Sequence, residues 1–232
     1  MDRWLPAIWL IVNCKNGISS YEVARALGVT QKTAWFMLHR IRLALQRGTF
    51  DRLSGEVEAD ESFIGGLARN MHKSKRAENV KGTGGAGKQV VMGILERHGN
   101  VRVAHVADTR MATLQAKVRE HVEPGSELFT DAWVAYTGLS PDYVHKVIDH
   151  AESYVKGNIH TNGIENFWSL LKRGLKGTYV AVQPFHLFRY LDEQAFRYNS
   201  RKTDDTARFV EALSTTVGRR LAYQELIGNE TN

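Results

Sequence analysis

The stretch EVEADESFIGG, residues 56–66, is where the reading of this chain turns. Before it, apolar residues recur at helical spacing. Within it, apolar and polar side chains alternate, which is the period of a strand. Asp60 lies in its middle, with Val57, Ala59, Phe63 and Ile64 around it. Those neighbours make the segment central to a sheet. A carboxylate there is unfavourable unless it is paired or binds metal.

Downstream, KQVVMGILERHGNVRVAHVAD (88–108) reads as two strands joined at RHGN, an antiparallel hairpin. MATLQAKVREHV (111–122) is helical and stops before Pro124. SELFTDAWVAYTGL (126–139) is a strand running into a short helix, and YVHKVID (143–149) is another strand. Residues 162–176 and 184–198 read as helices, and 201–232 as one more helix with frayed ends. Three meander strands followed by alternating helices and strands is an α/β order with a mixed sheet. It matches the ribonuclease H-like fold: a mixed sheet flanked by helices.

Upstream, residues 1–50 read as all helix. GISSYEVARALGVTQKTAWFMLHRIRLAL (17–45) holds two apolar-periodic segments around LGVT. Ser19 or Ser20 caps the first and Gly28 ends it; Thr30 caps the second. The second segment buries Ala34, Met37, Leu38 and Ile41, and exposes Gln31, Lys32, His39, Arg40 and Arg42. A short helix, a Gly-containing turn and a basic second helix form a helix-turn-helix pattern, which places Gln31, Lys32 and Thr33 where base contacts are made. An ordinary helical hairpin is the bland alternative. The expected organisation is a small all-α helix-turn-helix region over 1–50, a catalytic domain over 51–200 and a helical tail over 201–232.

The chain has 232 residues, 43% of them hydrophobic, enough to bury a core. Its net charge of +6 suits an anionic partner, nucleic acid above all. The single cysteine, Cys14, excludes an internal disulfide and a Cys-rich zinc site, and reads as a small buried side chain in a reducing compartment. WLPAIWLIVNC (4–14) is shorter than the roughly 18–20 residues of a membrane span, so a cytoplasmic protein is expected. GTGGAGKQ (82–89) nearly spells a phosphate loop, but Gln89 stands where Ser or Thr binds magnesium, and a strand follows where a helix should. With HKSKRAENVK (72–81) it reads as a long basic loop, either simply solvated or in loose contact with DNA phosphates. The nine histidines show no ligand spacing.

Three acids stand out. Asp60 is in the first strand, Asp131 ends the strand ELFTD, and Glu165 opens the helix GIENFWSLLKRGLK. Open α/β sheets place ligands outside strand carboxyl ends, and the first and fourth strands are neighbours in the expected fold. Each acid also has a structural reading: Asp60 as a strand-end acid, Asp131 as a helix cap, Glu165 as the third residue of a capping box opened by Asn162.

VEADESFIGG (57–66), LFTDAWVAY (128–136) and HTNGIENFWSLLKRGLKGTY (160–179) resemble the three acidic blocks of DDE-type bacterial insertion-sequence transposases, ISXO-like branch, and GISSYEVARALGVTQKTAWFMLHRIRLAL resembles that branch's helix-turn-helix. The resemblance spans roughly residues 4 to 225. It implies an enzyme that cleaves and transfers DNA strands at insertion-sequence ends, with Asp60, Asp131 and Glu165 as catalytic, metal-holding residues. It also implies two Mg²⁺ or Mn²⁺ ions, Asp60 bridging both, and Lys172 as the basic residue seven positions after the glutamate. Lys172, Arg173 and Lys176 are expected on DNA. Along an α-helix, Glu165, Ser169, Lys172 and Lys176 form a polar stripe, and Ile164, Trp168, Leu171 and Leu175 an apolar one. Partners implied are double-stranded transposon-end and target DNA, with a homo-oligomer on DNA in the bacterial nucleoid. Relatives often carry a Cys-rich zinc ribbon ahead of the helix-turn-helix, whereas this chain begins almost at that element. The alternative function is therefore a catalytically inactive or truncated transposon-derived DNA-binding protein.

Overall fold

The structure is a computed structural model and describes residues 2–46, 51–65, 87–131, 133–148, 160–180 and 182–228. Its helices are α1 (Trp4–Asn13), α2 (Ser20–Leu27), α3 (Gln31–Leu45), α4 (Met111–His121), α5 (Asn162–Gly174), α6 (Leu187–Asn199), α7 (Asp205–Ser214) and α8 (Tyr223–Ile227). Its strands are β1 (Glu56–Ile64), β2 (Gln89–Glu96), β3 (Val101–Val106), β4 (Glu127–Asp131) and β5 (Val144–Ile148). Two compact units result: Phe50–Trp168, and Met1–Thr49 with Ser169–Asn232.

In the first unit the sheet order is β3-β2-β1-β4-β5. β1, β2 and β3 are antiparallel; β1, β4 and β5 are parallel. This is the ribonuclease H-like arrangement, with β1 central. The two faces of β1 are divided by the pleat. Val57 and Ala59 join Met92, Ile94, Leu114, Val118 and Tyr136 in one buried cluster, which packs α4 against the sheet. Glu58, Asp60 and Ser62 take the other face, toward the first turns of α5, as the contacts of Glu58 and Asp60 show.

In the second unit, α1, α2 and α3 share a core with Phe196 of α6 and Ala212 of α7. Ser19 caps α2 in a full capping box with Glu22, Gly28 ends α2 in the left-handed conformation, and Thr30 caps α3 through the Thr33 amide. Three expectations change. Among its described residues, the 201–232 region holds two helices, α7 and α8, because Asp204 caps a new start and the chain turns after Ser214. The helix expected over 162–176 leaves α geometry at Gly174 and continues as a π turn, Leu175–Tyr179. That shifts Leu175 and Lys176 out of the stripes assigned to them. The helix expected over 184–198 is a 3₁₀ turn, Pro184–His186, followed by α6. The basic loop HKSKRAENVK and most of GTGGAGKQ lie outside the described residues, and Gln89 opens β2.

Candidate active site

The site is built on β1 and on what β1 holds. Two residues before Asp60, Glu58 is almost fully buried. One of its oxygens accepts from the Ile164 backbone N–H at 2.8 Å, and the other from Arg97 Nε at 2.9 Å. Ile164 is in the first turn of α5, whose leading amides have no partner within the helix. A negative charge there also complements the helix dipole. Glu58 therefore fixes the start of α5 to the strand that carries Asp60, and Glu165 is the next residue along. Arg97 completes the clamp: it donates to the His160 carbonyl at 2.5 Å and lies 3.8 Å over the Phe129 ring. The capping box expected from Asn162 is replaced by this arrangement. The helix begins at Asn162, and Glu165 Oε1 accepts from the Thr161 hydroxyl at 3.2 Å.

Two glycines make the approach possible. A β-carbon on Gly163 would lie 2.6 Å from Leu95 and 2.8 Å from Glu58 Oε2. One on Gly93, the β2 residue in register with Asp60, would lie 2.6 Å from the Trp168 ring and 2.8 Å from Ile164. With neither present, α5 lies close on the sheet, and Trp168 Nε1 donates to Asp60 Oδ2 at 2.9 Å.

Asp131 ends β4, the parallel neighbour of β1, and its Oδ1 accepts from the Trp133 N–H at 3.1 Å. The turn that follows is pinned on two sides. Gln115 of α4 donates to the carbonyls of Ala135 and Thr137 at 3.1 and 2.8 Å, and the Tyr136 hydroxyl donates to Glu61 on β1.

The charges of these acids interact. Burial raises the Asp60 carboxyl to about 6; hydrogen bonds from the Glu61 backbone and Trp168 oppose the rise, and the charges of Asp131 and Glu165 add to it. Burial likewise raises Glu61 to about 7, against the Tyr136 hydrogen bond and with Asp60 and Asp131 adding. Asp60 on β1 thus feels the charges of Asp131 from β4 and Glu165 from α5. Among the described residues no three Asp, Glu, His or Cys side chains are arranged to hold a metal ion. The donor set nonetheless fits a hard divalent cation: the oxygens are carboxylate, and a cation offsets the desolvation and the lesser repulsion that raise Asp60.

Sequence reading missed Glu58, Glu61, Tyr136 and the polar role of Trp168. The signal for Glu58 was present, as a second acid on the Asp60 face of a central strand. Trp168 sits at an apolar-stripe position, where its indole N–H leaves no trace in the periodicity.

The basic residues fall differently. Lys32 and Thr33 are exposed at the start of α3; Gln31 is half-buried and donates to Ser20 Oγ at 2.8 Å. Arg40 is half-buried, donating to the Leu221 carbonyl at 2.9 Å and lying 4.5 Å over Phe36. Arg42 and His39, expected on the surface, are buried. Arg42 Nε meets Glu193 Oε2 at 2.6 Å, and its guanidinium lies 4.0 Å over Tyr190. Arg42 is thus corrected from a DNA contact to an interior ion-pair partner. Arg173 and Lys176 are exposed and Lys172 is half-buried.

Glu58→Gln keeps an acceptor for Ile164 but loses the ion pair to Arg97, whereas Glu58→Ala removes the acceptor as well, taking away the nearer of the two carboxylates that face the buried Arg97. Removing one partner of a buried pair costs about 3–5 kcal/mol. Urea denaturation should therefore show Glu58→Ala far less stable than Glu58→Gln; equal midpoints for the two would refute the clamp.

A family model described as the ISXO2-like transposase domain matches residues 52–199. An uncharacterized transposase-like protein of Haemophilus influenzae is 32% identical over 96 residues, covering 41% of this chain and 77% of that protein. An uncharacterized protein in transposable element ISH50 of Halobacterium salinarum is 25% identical over 188 residues. That match covers 75% of this chain and 62% of the relative, so this chain spans less than two thirds of the relative's length. Two solved structures are distantly similar. The Mos1 strand transfer complex has a TM-score of 0.37 at 12% identity, covering 91% of this chain and 74% of the other. A simian T-cell lymphotropic virus intasome in complex with PP2A regulatory subunit B56 gamma has a TM-score of 0.36 at 15% identity, covering 80% and 63%. The fold assignment rests on the strand order rather than on these likenesses.

Proposed function

We propose that this chain, which belongs to the ISXO2-like transposase domain family, cleaves DNA strands at the ends of an insertion sequence and joins them to target DNA. The observation that carries this reading is the half-buried Asp60 carboxyl on the central strand, held by Trp168 and raised to about 6 chiefly by desolvation, with Asp131 and Glu165 adding their charges. Acids brought together from β1, β4 and α5 at that cost are a candidate cation site. Asp60, Asp131 and Glu165 would hold Mg²⁺ or Mn²⁺, in the two-ion scheme of the family. When bound, such ions activate a water or a 3′-hydroxyl and stabilise the leaving oxygen. The chain's own part is to place the acids. Glu58 holds α5 to β1, and Trp168 and Thr161 orient Asp60 and Glu165 through one oxygen each until those oxygens are needed.

The division by function is residues 1–50 for DNA binding through a helix-turn-helix, 51–200 for catalysis and 201–232 as a helical tail. The substrate is double-stranded transposon-end and target DNA, held by a homo-oligomer at the nucleoid. Among the described residues no helix is long and apolar enough to cross a membrane. The test is strand transfer with the element's own end sequence and Mg²⁺ or Mn²⁺. Metal-dependent joined product supports the reading; specific end binding with no cleavage under either ion supports a catalytically inactive, transposon-derived DNA-binding protein instead.

Two further outcomes follow from the basic residues. Lys172 lies seven residues after Glu165 on α5, about 10 Å farther along the helix axis. If it holds phosphate, Lys172→Ala lowers cleavage, and Lys172→Glu lowers it further by adding a repelling charge. Wild-type cleavage by Lys172→Glu would make the lysine a bystander, since isolated surface charges contribute little. Lys32, with Gln31, Thr33 and Arg40 beside it on α3, is the proposed entry to DNA, and Arg173 and Lys176 extend the contact. Binding should weaken steeply with salt through counterion release, and Lys32→Glu should flatten the slope of log affinity against log salt by about one. An unchanged slope removes Lys32 from the interface.

A further inference from the structure

Among the described residues, five of the seven buried side-chain nitrogens without a hydrogen-bond partner belong to three neighbouring residues: both ring nitrogens of His39, Nδ1 of His186, and Nε and Nη1 of Arg189; the other two are His160 Nδ1 and Arg197 Nε. His39 is 0% exposed, Arg189 5% and His186 8%. The two imidazoles lie 4.8 Å apart by ring centroid, and Trp35 stands edge-on to both at 4.5 and 5.5 Å. Buried polar groups in folded proteins are almost always paired, so a cluster that is not calls for a partner the chain does not supply. Beside it opens a pocket of about 530 Å³, lined by Trp35, Gln183, Phe185, His186, Tyr190 and Ile227 among others.

The lining narrows the ligand. Several aromatic rings and few polar groups suit a flat, partly apolar molecule better than a bare anion. No carboxylate lines the pocket among the described residues, and the charges of Arg189 and Arg42 act on His186, although Asp192 and Glu225 in turn face Arg189. Burial and the charges of Arg42, His186 and Arg189 hold the His39 ring neutral, so one of its nitrogens donates and the other accepts. Two of its lining residues, Trp35 and Ile227, lie on the helices that join at the start of α3. Lys32 is one helical turn before Trp35, and its Nζ lies 5.2 Å from the ring of Tyr223 on α8. Phe36 meets the same ring, and Ile227, one turn farther along α8, lines the pocket.

We propose that this pocket receives a nucleobase, stacked on Trp35, Phe185 and Tyr190 and read at its edge by Gln183 and His186. It is a site apart from the acidic cluster, and it rests on the reading that DNA is the substrate. Enclosing an unstacked base between aromatic side chains with polar groups at its edge is a general way to hold a nucleotide out of a duplex.

The experiment uses the full chain and reads binding alone. Deoxynucleoside monophosphates are titrated against tryptophan fluorescence, with ribose 5-phosphate as the sugar-phosphate control. Single- and double-stranded oligonucleotides carrying 2-aminopurine at successive positions report a base held by DNA. Saturable nucleotide binding is expected, with ribose 5-phosphate failing to compete and 2-aminopurine changing at a defined position. Phe185→Ala and Gln183→Ala alter exposed side chains and should leave the fold intact; Phe185→Ala should weaken binding on the order of 10-fold, the worth of one stacked ring. No saturable nucleotide binding, or binding unchanged by both variants, overturns the site. Free nucleotides that bind while every DNA-borne 2-aminopurine stays unaffected overturn the assignment to DNA. A protein that cuts DNA but fails these tests refutes the pocket alone, and one that binds nucleobases but never cuts refutes the strand-transfer reading alone.

Discussion

Cleavage by Glu165→Gln is expected to fall about 10³-fold or more, with DNA affinity close to wild type. The amide keeps the size of the side chain and an acceptor for Thr161 but loses the charge that holds a cation, and an ion's stabilisation of the transition state is worth several kcal/mol, each ~1.36 kcal/mol being tenfold. Asp60→Asn should be as severe in cleavage and opposite in sign for stability. The Asp60 carboxyl rises from its ordinary value of 3.8 to about 6, with burial as the main cause. Without metal, the folded protein therefore holds this proton more tightly than the unfolded chain. As pH climbs from about 4 to about 6 the wild type loses stability on this account, and the loss is complete above the folded value. Two pKa units correspond to roughly 2–3 kcal/mol. In EDTA, Asp60→Asn should melt above wild type at pH 8 and level with it near pH 4. A variant less stable than wild type at pH 8, or one that still cuts, would remove Asp60 from the site.

That exchange of stability for chemistry is why the site was partly legible in the sequence. Asp60 was conspicuous because a carboxylate at the centre of an alternating apolar strand violates the strand's own pattern. Asp131 stood at a strand end and Glu165 in a first turn, places where acids are ordinary, so each gained weight through the fold that puts β4 beside β1 and through the family resemblance. The sheet itself was readable: period two in β1, β2 and β3, a hairpin at 97–100, and a 3.6 period in α4. The periodicity of α3 was readable too, yet its use failed at Arg42. Leu38, Ile41, Arg42 and Leu45 follow the i, i+3, i+4, i+7 rule of one helix face, so spacing alone assigns Arg42 to the interior. Residue type points the other way, because the acid that neutralises Arg42, Glu193, is far along the chain. The same distance hid Glu58, whose partners Arg97 and Ile164 come together only after folding. Pairings of this kind have no local period, and no window of sequence contains both halves.

Glu193→Ala is the substitution expected to damage the helical unit most. Glu193 is fully buried on α6 and faces Arg42 of α3, Arg197 one turn on, and the Tyr179 hydroxyl from the π turn. Burial alone would raise its carboxyl, but Arg197 and Arg42 hold it below the usual range. Alanine leaves two guanidiniums in the interior with no counter-charge. Loss of one partner from a single buried pair costs about 3–5 kcal/mol, and here two pairs are lost together. For a chain of this size each ~1 kcal/mol moves the melting point by about 2–4 °C, so a drop of 10 °C or more is expected. Because Arg42 ties α3 to α6, specific DNA binding should fall with it, although neither residue touches DNA in this reading. Apolar replacement of Arg42, Glu193 and Arg197 together should recover most of the stability, since well-packed apolar groups can substitute for a buried ionic cluster. Thermal melts of the single and triple variants, with Lys32→Glu as a surface control, separate the outcomes. A Glu193→Ala melt within a few degrees of wild type would mean that the two arginines find water, and that α3 is held by its apolar face alone.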